Sequence, residues 1–279
     1  MVQQAKKSTA KMTSSKTGLA TRNSTAVVEA NGISIEADAG QGFENTDKDS
    51  FAIPFLRILQ GLSPQCNKAN PEYIKGAEQG SLFNTVTKEV TAVDDDGLKL
   101  ILCHYDRKFT EWAPNRGGFR GEHHPSATIL EKAVEKIDDD GKRMLVLPNG
   151  NSIQDTRYHF CLQVREDGST VPVLICMSSS GIKKSKRLLT ELNSLKLRNA
   201  EGKMFTPPMF LSVINMGTVA ESNDNGDWFN WEPTIARQLD INDEADADLY
   251  IQAKAFRDNV AKGNVKVQHE NEGGVKEEF

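Results

Sequence analysis

The sequence has few apolar residues for its length, and no long apolar run. Hydrophobic residues make up 38% of the 279 positions, and the mean hydropathy is -0.50. No stretch approaches the roughly 18 apolar residues that a transmembrane helix needs, and none has the layout of a secretory signal peptide. We therefore expect a soluble cytoplasmic protein with no membrane contact, part of which is too polar to fold by itself.

Cysteines are also few, and no C-x-x-C pair occurs among the four. Standard zinc-finger spacing is therefore absent. Cys103, Cys161 and Cys176 fall in apparent strands, where a free thiol packs as a small hydrophobic group. We predict no metal site, but a zinc site of unusual spacing stays open as an alternative. Its candidate ligands, which the strand order below brings near one another, are Cys103, His104, His123, His124, His159 and Cys161.

Motifs of catalysis are missing as well. The run that starts at Gly181 is similar to a phosphate-binding loop but lacks the G-x-x-x-x-G-K-[ST] spacing. No H-E-x-x-H or nucleophile elbow occurs, and the aspartate runs before Gly97 and Gly141 are typical of turns. The sequence thus predicts a protein that is not an enzyme and needs no cofactor.

Charge of one sign is missing from the first 28 residues, which contain no acid before Glu29. Because the whole chain has a net charge of -5, any polyanion-binding surface must be local. We divide the chain into a basic arm and acidic linker (1–50), a folded domain (51–240), a helix (241–263) and an acidic tail (264–279). An organelle transit peptide is a weaker alternative for the arm, since its cations are mainly lysine.

One stretch, from Arg157 to Leu195, organises the folded part. It predicts a strand, a hairpin at Asp167-Gly168, a buried apolar strand and then a helix with an apolar leucine ladder. The helix begins with a cluster of cations, although the N-terminal end of a helix is already partly positive. The cluster therefore favours an anion docked there, with a merely solvated face as the alternative. Its members are Lys183, Lys184, Lys186 and Arg187.

The order of elements predicts the fold class. Strands near 97–106, 157–166 and 171–177 precede the helix, and strands near 208–217 and 227–233 follow it. A five-stranded Greek-key barrel with a helix between its third and fourth strands has the order of an OB-fold. We therefore expect a mainly β protein with α, an OB-like barrel, with an irregular insertion at 107–150 beside the groove.

Aromatic and basic residues alternate in this insertion, as single-strand binding requires: rings for stacking and cations for the backbone. The alternative is that Trp112 and Phe119 only anchor a long loop, and we interpret Trp228, Phe229 and Trp231 as core or rim packing. The stacking candidates are Tyr105, Phe109, Trp112, Phe119 and Tyr158. The phosphate candidates are Arg107, Lys108, Arg116, Arg120 and Arg157, together with the four cations of the helix.

These features, with the last residues Glu277, Glu278 and Phe279, make the chain similar to the single-stranded DNA-binding proteins that phages encode. The resemblance implies sequence-independent binding of single-stranded DNA in replication or recombination, in the host cytoplasm. It also implies that replication or recombination proteins bind the tail. The alternative is an accessory or virion protein of a phage that acts through protein contacts.

Overall fold

The computed structural model describes residues 29–30, 33–34, 36–39, 41–45, 52–94, 97–114, 118–137, 143–224, 226–265 and 267. The chain divides into two units, Met1–Asn45 and Thr46–Phe279. In the first unit, β1 (Glu29–Ala30) pairs antiparallel with β2 (Ile33–Ser34), and a 3-10 turn follows at Glu36–Asp38. Residues 1–28 of the predicted basic arm, and the predicted acidic tail apart from residues 264, 265 and 267, lie outside the described residues.

The second unit is mainly β with two α-helices in its described part, in agreement with the mainly β class that the order of elements predicted. Its helices are α1 (Gly181–Ser194) and α2 (Glu244–Ala261). Its strands are β3 (Leu56–Ile58), β4 (Leu82–Asn84), β5 (Val90–Thr91), β6 (Leu98–Trp112), β7 (Phe119–His123), β8 (Val134–Ile137), β9 (Arg143–Val146), β10 (Ser152–Val164), β11 (Thr170–Ser178), β12 (Leu197–Arg198), β13 (Met204–Phe205), β14 (Ser212–Asn223) and β15 (Gly226–Gln238).

A sheet of eight strands dominates this unit. Its central part runs β15-β14-β6-β10-β11, with antiparallel pairing throughout. β6 and β10 continue beyond this part as a long antiparallel pair, which carries β7 on one side and β9 and β8 on the other. We call this pair the β6–β10 hairpin, although β7, β8 and β9 lie between its two strands in sequence. No described strand pair joins β15 to β11, so the described sheet is not a closed barrel.

A short segment before β4 lies between these two ends of the sheet. The N–H of Leu174 on β11 donates to the Pro54 carbonyl at 2.9 Å. At its other end, the Gln60 side chain donates to the Phe229 carbonyl and accepts from the Phe229 N–H, both at 2.9 Å. We call residues 54–60 the strap, because it contacts both β11 and β15.

The central strands are buried on both faces, which explains their continuous apolar runs. On one face, Ile101 and Leu174 pack with Phe256 of α2. On the other face, Leu100 and Ile175 pack with α1. The leucine ladder of α1 enters the core as predicted, since Leu188 is 1% exposed.

The insertion at 107–150 is more regular than predicted. β6 continues to Trp112, and β10 already begins at Ser152, with Trp112 paired to Ser152. This extension escaped prediction because both of its faces mix polar side chains with aromatic or apolar ones, so no apolar alternation marks it. β14 begins at Ser212 rather than near 208, because residues 209–211 form a 3-10 turn after Pro208.

Candidate nucleic-acid interface

The main candidate site is a cleft of about 370 Å³ in the second unit. Four parts of the fold surround it: the strap, the far part of the β6–β10 hairpin, the end of β11 with the start of α1, and residues 228–231 of β15. Arg57 is the only charged residue that lines it, and the described lining contains no carboxylate. The lining therefore suits a flat, polar, uncharged group.

All three tryptophans of the chain line this cleft: Trp112, Trp228 and Trp231. Trp112 and Trp228 are half-buried, as is the neighbouring Phe229, whereas Trp231 is 6% exposed. Half-buried rings are held by the protein and still have surface that a ligand can contact. The cleft thus provides surfaces on which bases could stack.

Neighbouring groups hold the orientation of these rings. The indole N–H of Trp112 donates to Thr110 Oγ1 at 3.0 Å, and its ring meets Phe119 edge-on at 5.7 Å between centroids. The Phe229 ring lies over Gly80, where a Cβ would come within 2.6 Å of it. Such fixed rings lose little conformational freedom when a ligand binds.

The polar groups of the cleft are also positioned by the protein. Buried Asn230 donates through Nδ2 to Glu221 Oε2 at 2.8 Å, and its Oδ1 accepts from the N–H of Trp231 at 2.9 Å. The hydroxyls of Thr110 and Thr156 lie 3.1 Å apart and share a hydrogen bond. Fixed donors and acceptors of this kind suit a ligand with polar edges.

The predicted stacking residues do not share one face. Residues directly opposite in an antiparallel pair point to the same side, and successive residues alternate. The pairs Trp112↔Ser152 and Asp106↔Tyr158 therefore place Trp112 and Tyr158 on the cleft side. The pair His159↔Tyr105 places Tyr105 on the opposite side, together with Phe109.

Tyr158 forms part of the closed wall of the cleft, because it is only 1% exposed. Its hydroxyl donates to Glu122 Oε1 at 2.6 Å. Burial, with smaller contributions from Cys176 and Glu122, raises the pKa of Tyr158 well above its usual range. Its ring is therefore not open to stacking.

The cations of the β6–β10 hairpin already have acidic partners. Asp155 binds Arg107 through two hydrogen bonds, of 3.1 and 2.8 Å, and also accepts from Arg157 at 3.0 Å. The hydrogen bond to Asp155 is the main cause that raises the pKa of Arg107. Lys108 pairs with Asp106 at 3.0 Å. A phosphate would have to compete with these carboxylates.

The two remaining predicted cations of this region are Arg120 and Arg116. Arg120 is exposed on β7 and has no ion pair within the part of the chain that is described. Arg116 lies outside the described residues, as do Glu277, Glu278 and Phe279 of the tail. Arg107 additionally lies over the Phe109 ring, 4.9 Å from its centroid, on the side away from the cleft.

The four cations of α1 fall into two pairs. Lys184 binds Glu232 and Glu221, the latter at 3.1 Å, and Arg187 binds Glu232 at 2.5 Å. Burial would raise the pKa of Glu232, but the hydrogen bonds from Lys184 and Arg187 outweigh it and lower the pKa. Carboxylates of β14 and β15 thus occupy part of the cluster where the sequence favoured an external anion. Lys183 and Lys186 are exposed, without ion pairs to any described residue.

The alternative zinc ligands are dispersed among other contacts. His123 binds Glu111 at 2.6 Å, His124 binds Ser126, and His159 binds Ser185 at 3.0 Å. Burial raises the pKa of Cys103 to about 12, which disfavours the thiolate that zinc requires. Among the described residues, no group of three or more His, Cys, Asp or Glu side chains is arranged to hold a metal ion.

Sequence reasoning did not assign the strap to the site, and it assigned Trp228 and Phe229 to packing. One signal could have corrected the second assignment. Neighbouring residues of a strand point to opposite faces, so consecutive Trp228 and Phe229 cannot both enter one core. No comparable signal marks Gln60, because Phe229, its partner on β15, lies 169 residues away in sequence.

Within the described residues, no helix is both long and apolar enough to cross a membrane.

Comparison with known proteins identifies the family alone. No curated protein and no solved structure matches the chain. A family model described as "Pam3 phage gp34-like protein" matches residues 22–266, which is most of the sequence. The chain therefore belongs to the Pam3 phage gp34-like family of phage proteins.

Proposed function

We propose that the cleft binds single-stranded DNA without sequence preference, in phage DNA replication or recombination. The observation that carries this proposal is the gathering of every tryptophan of the chain on one cleft of about 370 Å³. Each base stacked on an aromatic ring adds roughly 1–3 kcal/mol to binding. Trp112 and Trp228 would therefore give useful affinity for unpaired bases, whereas paired bases in a duplex cannot enter.

The strand order supports this proposal. We infer an OB-like domain in which β6, β10, β11, β14 and β15 are the five barrel strands and α1 lies between the third and fourth. The strap then occupies the position where such a barrel would close. In OB-folds, the loops between strands one and two and between strands four and five flank the nucleic-acid groove. The hairpins β6–β10 and β14–β15 flank this cleft in the same way.

The chemistry of the lining supports sequence-independent binding. Its polar groups are mostly hydroxyls and amides that already bind one another, such as Thr110 with Thr156. The rings accept any base, because every base has a flat face. Phosphates would stay at the rim, where Arg57, Lys183 and Lys186 are the nearest candidates among the cations described above.

A second candidate function, protein contact by an accessory or virion protein, has one observation in its favour. Among the described strands, β8 pairs with β9 and has no partner on its other edge, and Val134 and Ile137 on it are 55% and 68% exposed. An open strand edge with exposed apolar side chains can pair with a strand of another chain. Substituting Ile137 with Lys would test this edge without touching the cleft.

Fluorescence anisotropy of labelled oligo-dT tests the proposed function. Trp228→Ala should weaken binding about tenfold, and Trp112→Ala should act in the same direction. Phe109→Ala is the matched control, because it removes a half-buried ring from the opposite face of the same hairpin. Wild-type protein should bind the single strand and not a duplex of equal length. Equal losses in all three variants, or no binding at low salt, would remove the cleft from consideration.

A further inference from the structure

We infer that the outward side of α1 and the hairpin β12–β13 form a second contact surface for the strand that leaves the cleft. This inference rests on the proposed function of the cleft. We call the surface the basic track and define it by Lys183, Lys186, Lys196, Arg198 and Lys203. Of these residues, the sequence analysis assigned only Lys183 and Lys186 to DNA binding. Lys196, Arg198 and Lys203 are added by the structure.

Helix periodicity forms the first part of the track. Lys183 and Lys186 are three residues apart and lie on neighbouring positions of the outward side, which Thr190 and Asn193 continue. All four are exposed, and none is acidic. Lys184 and Arg187 turn instead towards Glu232. The 14 residues of α1 extend over about 21 Å, enough for several nucleotides.

Lys196 joins the helix to the hairpin. Its ammonium donates to the Asn193 carbonyl at 3.0 Å and also binds the Thr206 hydroxyl. The hairpin pairs Leu197 with Phe205 and Arg198 with Met204. The row of cations therefore continues from the end of α1 onto β12 and its turn.

The hairpin combines charge with an exposed ring. Arg198 and Lys203 are exposed, and Glu201 is the only acid between residues 195 and 206. Met204 is 47% exposed and Phe205 is 44% exposed. A solvated charged surface has no need of an exposed aromatic ring, whereas single-strand binding uses cations and rings together.

The track also begins at the right place. Gly181, the first residue of α1, lines the cleft, and Lys183 follows two residues later. A strand with bases in the cleft can therefore continue along α1 to the hairpin. The chemistry of the partner is that of a flexible polyanion with flat, unpaired bases.

Oligonucleotides of two lengths test this surface. Short oligo-dT of about four nucleotides fills the cleft alone, and oligo-dT of about fifteen nucleotides also reaches the hairpin. The triple variant K196Q/R198Q/K203Q should bind the short strand as wild type does but lose the extra affinity for the long one. Because each lost phosphate contact on a single strand changes the slope of log affinity against log salt by about 0.7, the slope should become shallower by about 2.

A matched control removes three exposed lysines elsewhere, through K68Q/K75Q/K132Q. This variant should keep both the affinity for the long strand and its salt slope. Phe205→Ala should weaken long-strand binding with no change of slope, because it removes a ring and no charge.

The outcomes separate the two proposals. If wild type binds the short strand but gains nothing from length, the basic track is overturned and the cleft proposal stands. If both triple variants weaken long-strand binding equally, the effect is one of net charge and the track is again overturned. If wild type binds neither strand, the cleft proposal fails and the track fails with it.

Discussion

Gln60 binds the backbone of Phe229 twice, through a donated and an accepted hydrogen bond of 2.9 Å each. This pair of bonds attaches the strap to β15, beside the proposed stacking surface. Each such bond adds about 0.5–1.5 kcal/mol to stability. We expect Gln60→Ala to lower the free energy of unfolding by about 1–3 kcal/mol in urea titrations. Gln79→Ala, at an exposed loop position, should change it by less than about 0.5 kcal/mol.

How far the sequence predicts such features depends on the range of the contact. The leucine ladder around Leu188 and the apolar run of β11 predict α1 and a buried strand correctly, because their signals are local. Whether a cation is available to bind a ligand, however, depends on contacts that are distant in sequence. Lys184 and Arg187 bind Glu232, and Arg107 binds Asp155, each at a separation of 45 to 48 residues. The charge pattern of the helix alone therefore could not separate the bound pair from the exposed pair.

Gly80 is required at its position for two reasons. Its φ of +87° is unfavourable for other residues, and a Cβ there would lie 2.6 Å from the Phe229 ring. Gly76 has a similar φ of +88°, but open space surrounds its Cβ position. We expect Gly76→Ala to cost about 1 kcal/mol of stability, and Gly80→Ala to cost about 1–3 kcal/mol more because the ring must move. Thermal unfolding of both variants measures the difference, and equal losses would contradict a close contact with Phe229.

Glu232 holds two cations of α1 that could otherwise bind phosphate. Glu232→Gln removes this negative charge, so that Lys184 keeps only Glu221 and Arg187 keeps only Glu191 as a carboxylate partner among the described residues. We expect a small loss of stability, at most about 1 kcal/mol, because partly exposed ion pairs contribute little. Affinity for oligo-dT should rise a few-fold, with a steeper dependence on salt. Unchanged or lower affinity in anisotropy titrations would show that these two cations do not face the strand.

His159 should make stability depend on pH. The side chain is 1% exposed, and its burial, with a smaller contribution from Arg157, lowers its pKa from 6.5 to about 3. The unfolded chain therefore binds a proton that the folded chain does not between these two values. Stability from this residue is complete above about pH 6.5 and falls by about 1.4 kcal/mol per pH unit towards pH 3.

The variant His159→Asn isolates this contribution from that of the carboxylates, which titrate in both proteins. It should be less stable than wild type at pH 7, since it loses packing and the bond to Ser185. The difference between the two proteins should shrink as the pH falls from 6 to 4. A constant difference in urea titrations across this range would mean that His159 does not titrate as described.

Intrinsic tryptophan fluorescence tests the central claim most directly, because every tryptophan of the chain lines the cleft. Bases that stack on Trp112 and Trp228 should quench the emission in a saturable titration with oligo-dT at low salt. A duplex of equal length should leave the emission unchanged. If anisotropy reports binding of the single strand while the tryptophan emission stays constant, the strand binds elsewhere and the cleft is not the site.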